Sequence, residues 1–186
     1  MSKIAAALAK LAAVQETLLA EAARELGLST LQARILLALA ANPGPGVRAL
    51  ARELALTPAT LSVSVATLAK KGLLLRESGA GRTQALVLSQ EGQAVAAVLS
   101  GYDQGLEAAI NSFSPEEQGR ALEFLLNLIA GLKAQGVIAI DRSCATCQFF
   151  RPDAHPGQPS PHHCALMDIP LAREELRVSC PEHEAA

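Results

Sequence analysis

The chain has 186 residues, half of them hydrophobic but only 3% aromatic, and a formal net charge of −2. That length suits one domain with an appendage, or a domain whose core a partner chain completes. The balanced charge excludes a uniformly basic nucleic-acid binder, and the lack of any run of about 18 apolar residues excludes a transmembrane helix. Alanine and leucine dominate the hydrophobic residues, so a mainly α-helical fold is predicted.

Helical spacing of Ile4, Leu8, Leu11, Leu18 and Leu19 predicts a long first helix over Ser2–Leu26, ended by Gly27. Its apolar start resembles a leader peptide, but Lys10 interrupts it and the pattern runs on past Glu16. It reads as part of the mature protein, which predicts a cytoplasmic location. Ser29 or Thr30 caps a second helix to Ala41, and Asn42-Pro43-Gly44-Pro45-Gly46 breaks it. A short helix over Val47–Ala55 follows. Thr57 then serves as N-cap and Pro58 as first residue of a helix to Lys71, with Gly72 as its stop. The period next changes to strands at 73–77 and 84–88, joined by a glycine-rich loop over 78–83. Ser89 caps a single long helix to about Asn111, and Ser114-Pro115-Glu116-Glu117 opens another to Ala134. Val137–Arg142 reads as a linker. Beyond it lie all four cysteines, all four histidines and six of the ten prolines.

Charge is unevenly distributed. Residues 44–88 carry net +4, whereas 89–142 carry −4 and 143–186 carry −3. A basic island of this kind attracts a phosphate backbone even in an acidic chain. Short helix, tight turn, Thr-Pro-capped helix and two-stranded hairpin, in that order, make a winged helix-turn-helix. The second helix suits a major groove, and Arg82 in the hairpin loop suits the neighbouring minor groove.

Residues Val47 to Gly92 resemble the MarR family of bacterial regulators. The resemblance is carried by Leu50-Ala51-Arg52-Glu53-Leu54, Leu56-Thr57-Pro58-Ala59-Thr60-Leu61-Ser62, Leu68-Ala69-Lys70-Lys71-Gly72-Leu73-Leu74, and Arg82 with Leu86-Val87-Leu88-Ser89-Gln90-Glu91-Gly92. It implies a homodimer held by a helical platform of the first and last helices, bound to pseudo-palindromic double-stranded DNA, and it leaves open a small-molecule effector. The candidate DNA-contacting residues are Thr57, Thr60, Ser62, Ser64, Lys70, Lys71 and Arg82. Two departures weaken the expected affinity. Ala80 stands where the family usually has an acid, and 62–67 lacks the family's arginines.

The cysteines form Cys144-x2-Cys147, then Cys164 after sixteen residues and Cys180 after fifteen more. A close pair supplies two thiolates from one turn, and the distant two complete a tetrahedral set suited to zinc or an iron–sulfur cluster. The spacing, Phe149-Phe150 and Cys180-Pro181 are similar to high-potential-type iron–sulfur proteins and to the small cluster-bearing subunits of glycyl radical enzymes. That similarity implies a [4Fe–4S] cluster. Zinc is the alternative, since His155, His162, His163 and His183 are near. No nucleophile elbow or phosphate loop is present, and no enzyme is expected.

The domain reading is therefore a winged-helix region with dimerisation helices over 1–134 (DNA-binding lobe about 30–92), a linker over 135–142 and a metal-bound module over 143–186. The function predicted is a DNA-binding transcriptional regulator whose metal site senses redox state or metal. The alternatives are a dimeric ligand- or protein-binding module without DNA recognition, or a redox accessory protein.

Overall fold

A computed structural model describes residues 2–78 and 84–186. These divide into two compact units, 1–107 and 108–186.

In the first unit, α1 (Lys3–Glu25) starts where the Ser2 side chain accepts the Ala5 N–H. A reciprocal Ser29–Gln32 capping box opens α2 (Thr30–Ala41). Next come α3 (Val47–Glu53), α4 (Pro58–Lys70), the antiparallel strands β1 (Leu74–Ser78) and β2 (Gln84–Leu88), and α5 (Gln90–Leu99). The strand register pairs Leu74 with Leu88 and Ser78 with Gln84. These elements share one aliphatic core, in which Leu36, Leu50, Leu61, Leu68, Leu86 and Leu99 are fully enclosed.

Two backbone features fix the DNA-lobe geometry. Between α3 and α4 the chain reverses at Ala55, whose φ of 55° is in the left-handed region. There the Leu56 N–H returns to the Ala51 carbonyl. At the foot of the hairpin, Gly92 lies directly on the Leu73 carbonyl. A Cβ there would sit 1.9 Å from that oxygen. The Ser89 hydroxyl locks the approach, donating to the Gly72 carbonyl at 2.6 Å and accepting the Gly92 N–H at 2.9 Å.

The single helix expected from Ser89 to Asn111 is two helices. α5 ends at Leu99, and α6 (Gln104–Ile110) starts after a turn through Gly101. Glycine's conformational entropy cost lowers helix propensity where no packing compensates.

The second unit holds α7 (Pro115–Ala134), opened by a Ser114–Glu117 capping box with Pro115 at its first position. The cysteine-rich segment folds onto it. It forms a three-stranded antiparallel sheet of β3 (Phe150–Arg151), β4 (His162–Cys164) and β5 (Ile169–Leu171), which sequence reading did not foresee. Leu126 of α7 shares a buried cluster with Cys144, Leu171 and Leu176, and Leu122 packs against it. The compact division falls within α6, which places α7 in the same unit as the cysteine-rich segment. The predicted linker is also built into this unit. The Asp141 carboxylate accepts from the Ser143 N–H, the Ser143 hydroxyl and the Thr146 hydroxyl.

Candidate functional site

Helix α4 is the element that would enter a groove. Its N-cap, Thr57, accepts the Thr60 N–H at 3.1 Å, and the two hydroxyls lie 2.9 Å apart. Leu61, Val65 and Leu68 face the core. The helical period therefore turns Ala59, Thr60, Val63, Ala66 and Lys70 outward. Thr57 and Thr60 are exposed, whereas Ser62 and Ser64 flank the core and are half-buried. Val63 is 70% exposed at the middle of the outward face. Sequence reasoning chose the hydroxyls and missed Val63, because residue chemistry was weighed before helical phase. An exposed branched side chain there matches a thymine methyl group.

The basic candidates separate. Lys70 is exposed at the last turn of α4. Lys71 donates its ammonium to the Gly27 carbonyl at 2.6 Å and ties α4 to the end of α1. Arg76 of β1 donates to the Gln84 side chain across the hairpin. Arg82 lies outside the described residues. Arg48 and Arg52 of α3 are exposed and add to the basic surface of this lobe.

The second constellation is in the C-terminal unit. Cys144, Cys147, Cys164 and Cys180 all line one cavity of about 30 Å³, with Phe150, Met167, Leu171, Glu175 and Arg177. Distant parts of the sequence supply these thiols. Cys144 starts a short 3-10 turn that Cys147 closes, Cys164 ends β4, and Cys180 follows the Arg142–Ser179 bridge. Arg177 serves two of them. Its backbone N–H donates to Cys144 Sγ at 3.2 Å, and its guanidinium lies 3.6 Å from Cys180 Sγ. Burial pushes the Cys144 thiol above its ordinary value, the Arg177 N–H opposes this, and the other three thiolates add to the rise.

Among the described residues, no three His, Cys, Asp or Glu side chains gather closely enough to hold one metal ion. None of the four histidines, all among the described residues, lines the cavity. His183 Nε2 is 3.1 Å from the Thr146 hydroxyl, and His155 Nε2 is 3.3 Å from His163 Nδ1. His163 Nε2 reaches Asp168 at 3.2 Å. His162 is 1% exposed. Its Nδ1 accepts the Asp153 N–H, while its Nε2 has no hydrogen-bond partner and lies 3.6 Å from the Glu123 carboxylate of α7. Glu123 also accepts from Arg173 Nε at 2.7 Å. Arg177 and Glu123 escaped sequence reading because neither stands in a motif. Only the fold brings them to the thiols or to β4.

No curated protein matches the chain. In fold it is similar to a putative MarR family transcriptional regulator from Listeria monocytogenes, solved complexed with 26mer DNA. That likeness covers 75% of this chain and 95% of that one, at 18% identity and a TM-score of 0.65. The transcriptional regulator SlyA gives a TM-score of 0.63 at 16% identity, over 75% of this chain and 100% of that one. A MarR family regulator from Silicibacter pomeroyi gives 0.60 at 24% identity, over 70% of this chain and 88% of that one. No helix of the described residues is long and apolar enough to cross a membrane. Residues 26–83 match the sequence model of the MarR family, and in fold the chain is similar to solved MarR family regulators.

Proposed function

We propose that the chain is a DNA-binding transcriptional regulator that works as a homodimer, with a thiolate-held metal centre in its C-terminal unit acting as a sensor of redox state or metal. The observation that carries the DNA reading is the MarR-family match over 26–83, which spans α2, α3, α4 and β1. The outward face of α4, with a free lysine at its end, is what such a segment presents to base edges and phosphates.

Dimerisation is supported by apolar surface that the single chain leaves exposed. Ile4, Leu11 and Val14 of α1 are about half exposed, as are Phe113 and, on α7, Phe124. Such surface on a soluble chain marks an interface. A C2 pair would present two α4 helices to a pseudo-palindrome. A small-molecule effector would be sought in the hollow of the first unit lined by Leu18, Glu21, Leu26, Val98 and Tyr102.

Selection of bound fragments from random-sequence duplex DNA by the full chain, followed by mobility shift, tests the reading. An enriched pseudo-palindrome, bound with one dimer per site, is the expected result. Salt-independent or undetectable binding by a dimeric chain would establish the second reading, a ligand- or protein-binding module. The absence of any lysine or arginine in α4 before Lys70 favours that second reading.

A further inference from the structure

We infer that Cys144 and Cys147 are a redox-active dithiol, which a low-molecular-weight disulfide oxidises to a Cys144–Cys147 disulfide. This goes beyond the metal-centre reading, since it uses two of the four thiols and no metal.

The backbone is the first argument. Cys144 opens a 3-10 turn that Cys147 closes, and the Cys147 N–H donates to the Cys144 carbonyl at 3.0 Å. Such a turn keeps its end Cα atoms within about 7 Å of each other. A disulfide spans about 4.4–6.8 Å between Cα atoms, so the turn already sets the span. Both side chains line the same small cavity, which puts the two sulfurs on one side of the turn. The turn is also held from outside. The Cys144 N–H donates to the Arg177 carbonyl at 3.0 Å, and the Cys147 carbonyl accepts the Phe150 N–H at 3.1 Å.

The other two thiols are anchored elsewhere. Cys164 ends β4, in register with Phe150 of β3. The Cys180 N–H donates to the Arg142 carbonyl at 3.0 Å, and its Sγ faces the Arg177 guanidinium at 3.6 Å. Neither shares a turn with Cys144 or Cys147. The cavity among the thiols holds about 30 Å³ of space, on the order of one water molecule. That suits the swing of a sulfur from one rotamer to another.

Exposure sets the order of steps. Cys144 is 9% exposed, whereas Cys147 is half-buried. The Cys147 thiolate therefore attacks first, breaking the S–S bond of the small disulfide and releasing one small thiolate. Cys144 then attacks the Cys147 sulfur of the mixed disulfide, and the second small thiolate leaves. The two chain sulfurs give up two electrons, the two small-molecule sulfurs gain them, and the protons of the chain thiols pass to the departing thiolates. The Arg177 backbone N–H, 3.2 Å from Cys144 Sγ, holds that sulfur for the second attack.

The full chain is equilibrated without oxygen in buffers of reduced and oxidised glutathione, quenched with acid, denatured, alkylated and cut with trypsin and chymotrypsin. The stretch between Arg142 and Phe150 carries Cys144 and Cys147 and no other cysteine. In the oxidising buffers that fragment should lose both alkylatable thiols together and become lighter by two hydrogens, while Cys164 and Cys180 are still alkylated. Cys147→Ser should abolish the disulfide, and Cys180→Ser should leave it unchanged. If Cys147→Ser misfolds, the disulfide map of the unaltered chain decides alone. Cys144 joined to Cys164 or Cys180, or four free thiols in oxidised glutathione alone, overturns the inference. Iron and zinc analysis of the same preparation separates it from the metal-centre reading. Bound metal with four unoxidised thiols overturns the inference and leaves that reading standing, and a closed pair in a chain purified free of metal does the reverse.

Discussion

Ala55 shows how one residue can carry strain for the sake of a turn. Its left-handed φ lets α3 hand over to α4 in four residues. An L-residue with a Cβ pays about 1–2 kcal/mol for that conformation, and glycine does not. Part of the gain from glycine is returned as unfolded-state entropy. Ala55→Gly should therefore raise the stability of the first unit by about 0.5–1 kcal/mol without changing DNA affinity, as read by denaturant unfolding and mobility shift. A destabilised variant would mean that the Cβ is packed. Val63 poses the opposite case. It is too exposed to matter for folding, so Val63→Ala should leave the melting temperature within a degree or two. If its methyl groups meet thymine, the same change should weaken the selected DNA site by a few-fold, and Val63→Asp should abolish binding through repulsion from phosphate. Unchanged affinity in Val63→Asp would remove α4 from the groove.

At the scale of elements, α7 is shaped to receive the cysteine-rich segment. Gly119 lets that segment approach, since a Cβ there would lie 2.8 Å from Arg173 Cβ. One turn on, Glu123 binds Arg173 and faces the buried His162, and Leu122 and Leu126 pack beside Cys144 and Cys164. Removing a carboxylate that satisfies a partly buried guanidinium costs about 1–3 kcal/mol. Glu123→Ala should thus raise hydrogen exchange across 119–130 and 162–176 while leaving 30–92 unaffected. Glu123→Gln, which still offers Arg173 an acceptor, should do less. Uniform exchange across both units would refute this docking role. Much of this architecture was legible in the sequence where a cap or stop is local. Thr57-Pro58, the Ser114 box and Gly72 placed their helix ends correctly. The module's strands were not, because two- and three-residue strands among prolines carry no periodicity. The phase of Ser62 and Ser64 on α4 was not legible, because hydroxyl chemistry does not report it. The convergence of the four cysteines was anticipated from spacing. Arg177 was not, since its role depends on a backbone N–H aimed at a sulfur 33 residues earlier in the chain.

On the whole molecule, electrostatics set how DNA binding should respond to salt. The chain is acidic overall, and its basic island supplies few free cations. Arg48, Arg52 and Lys70 are exposed among the described residues of the lobe, while Lys71 is committed to the Gly27 carbonyl. A dimer using those side chains would neutralise about six phosphates, giving a log–log salt slope of about −5. The two adjacent lysines then make a direct comparison. Lys70→Met removes one phosphate contact per protomer, so the slope should become shallower by about 2 for the dimer, with stability unchanged. Lys71→Met removes a tether between α1 and α4, so it should lower the melting temperature and leave the slope near its original value. Reversal of the two phenotypes would show that Lys71 leaves Gly27 when DNA arrives, which would assign the α1–α4 tether a part in binding itself.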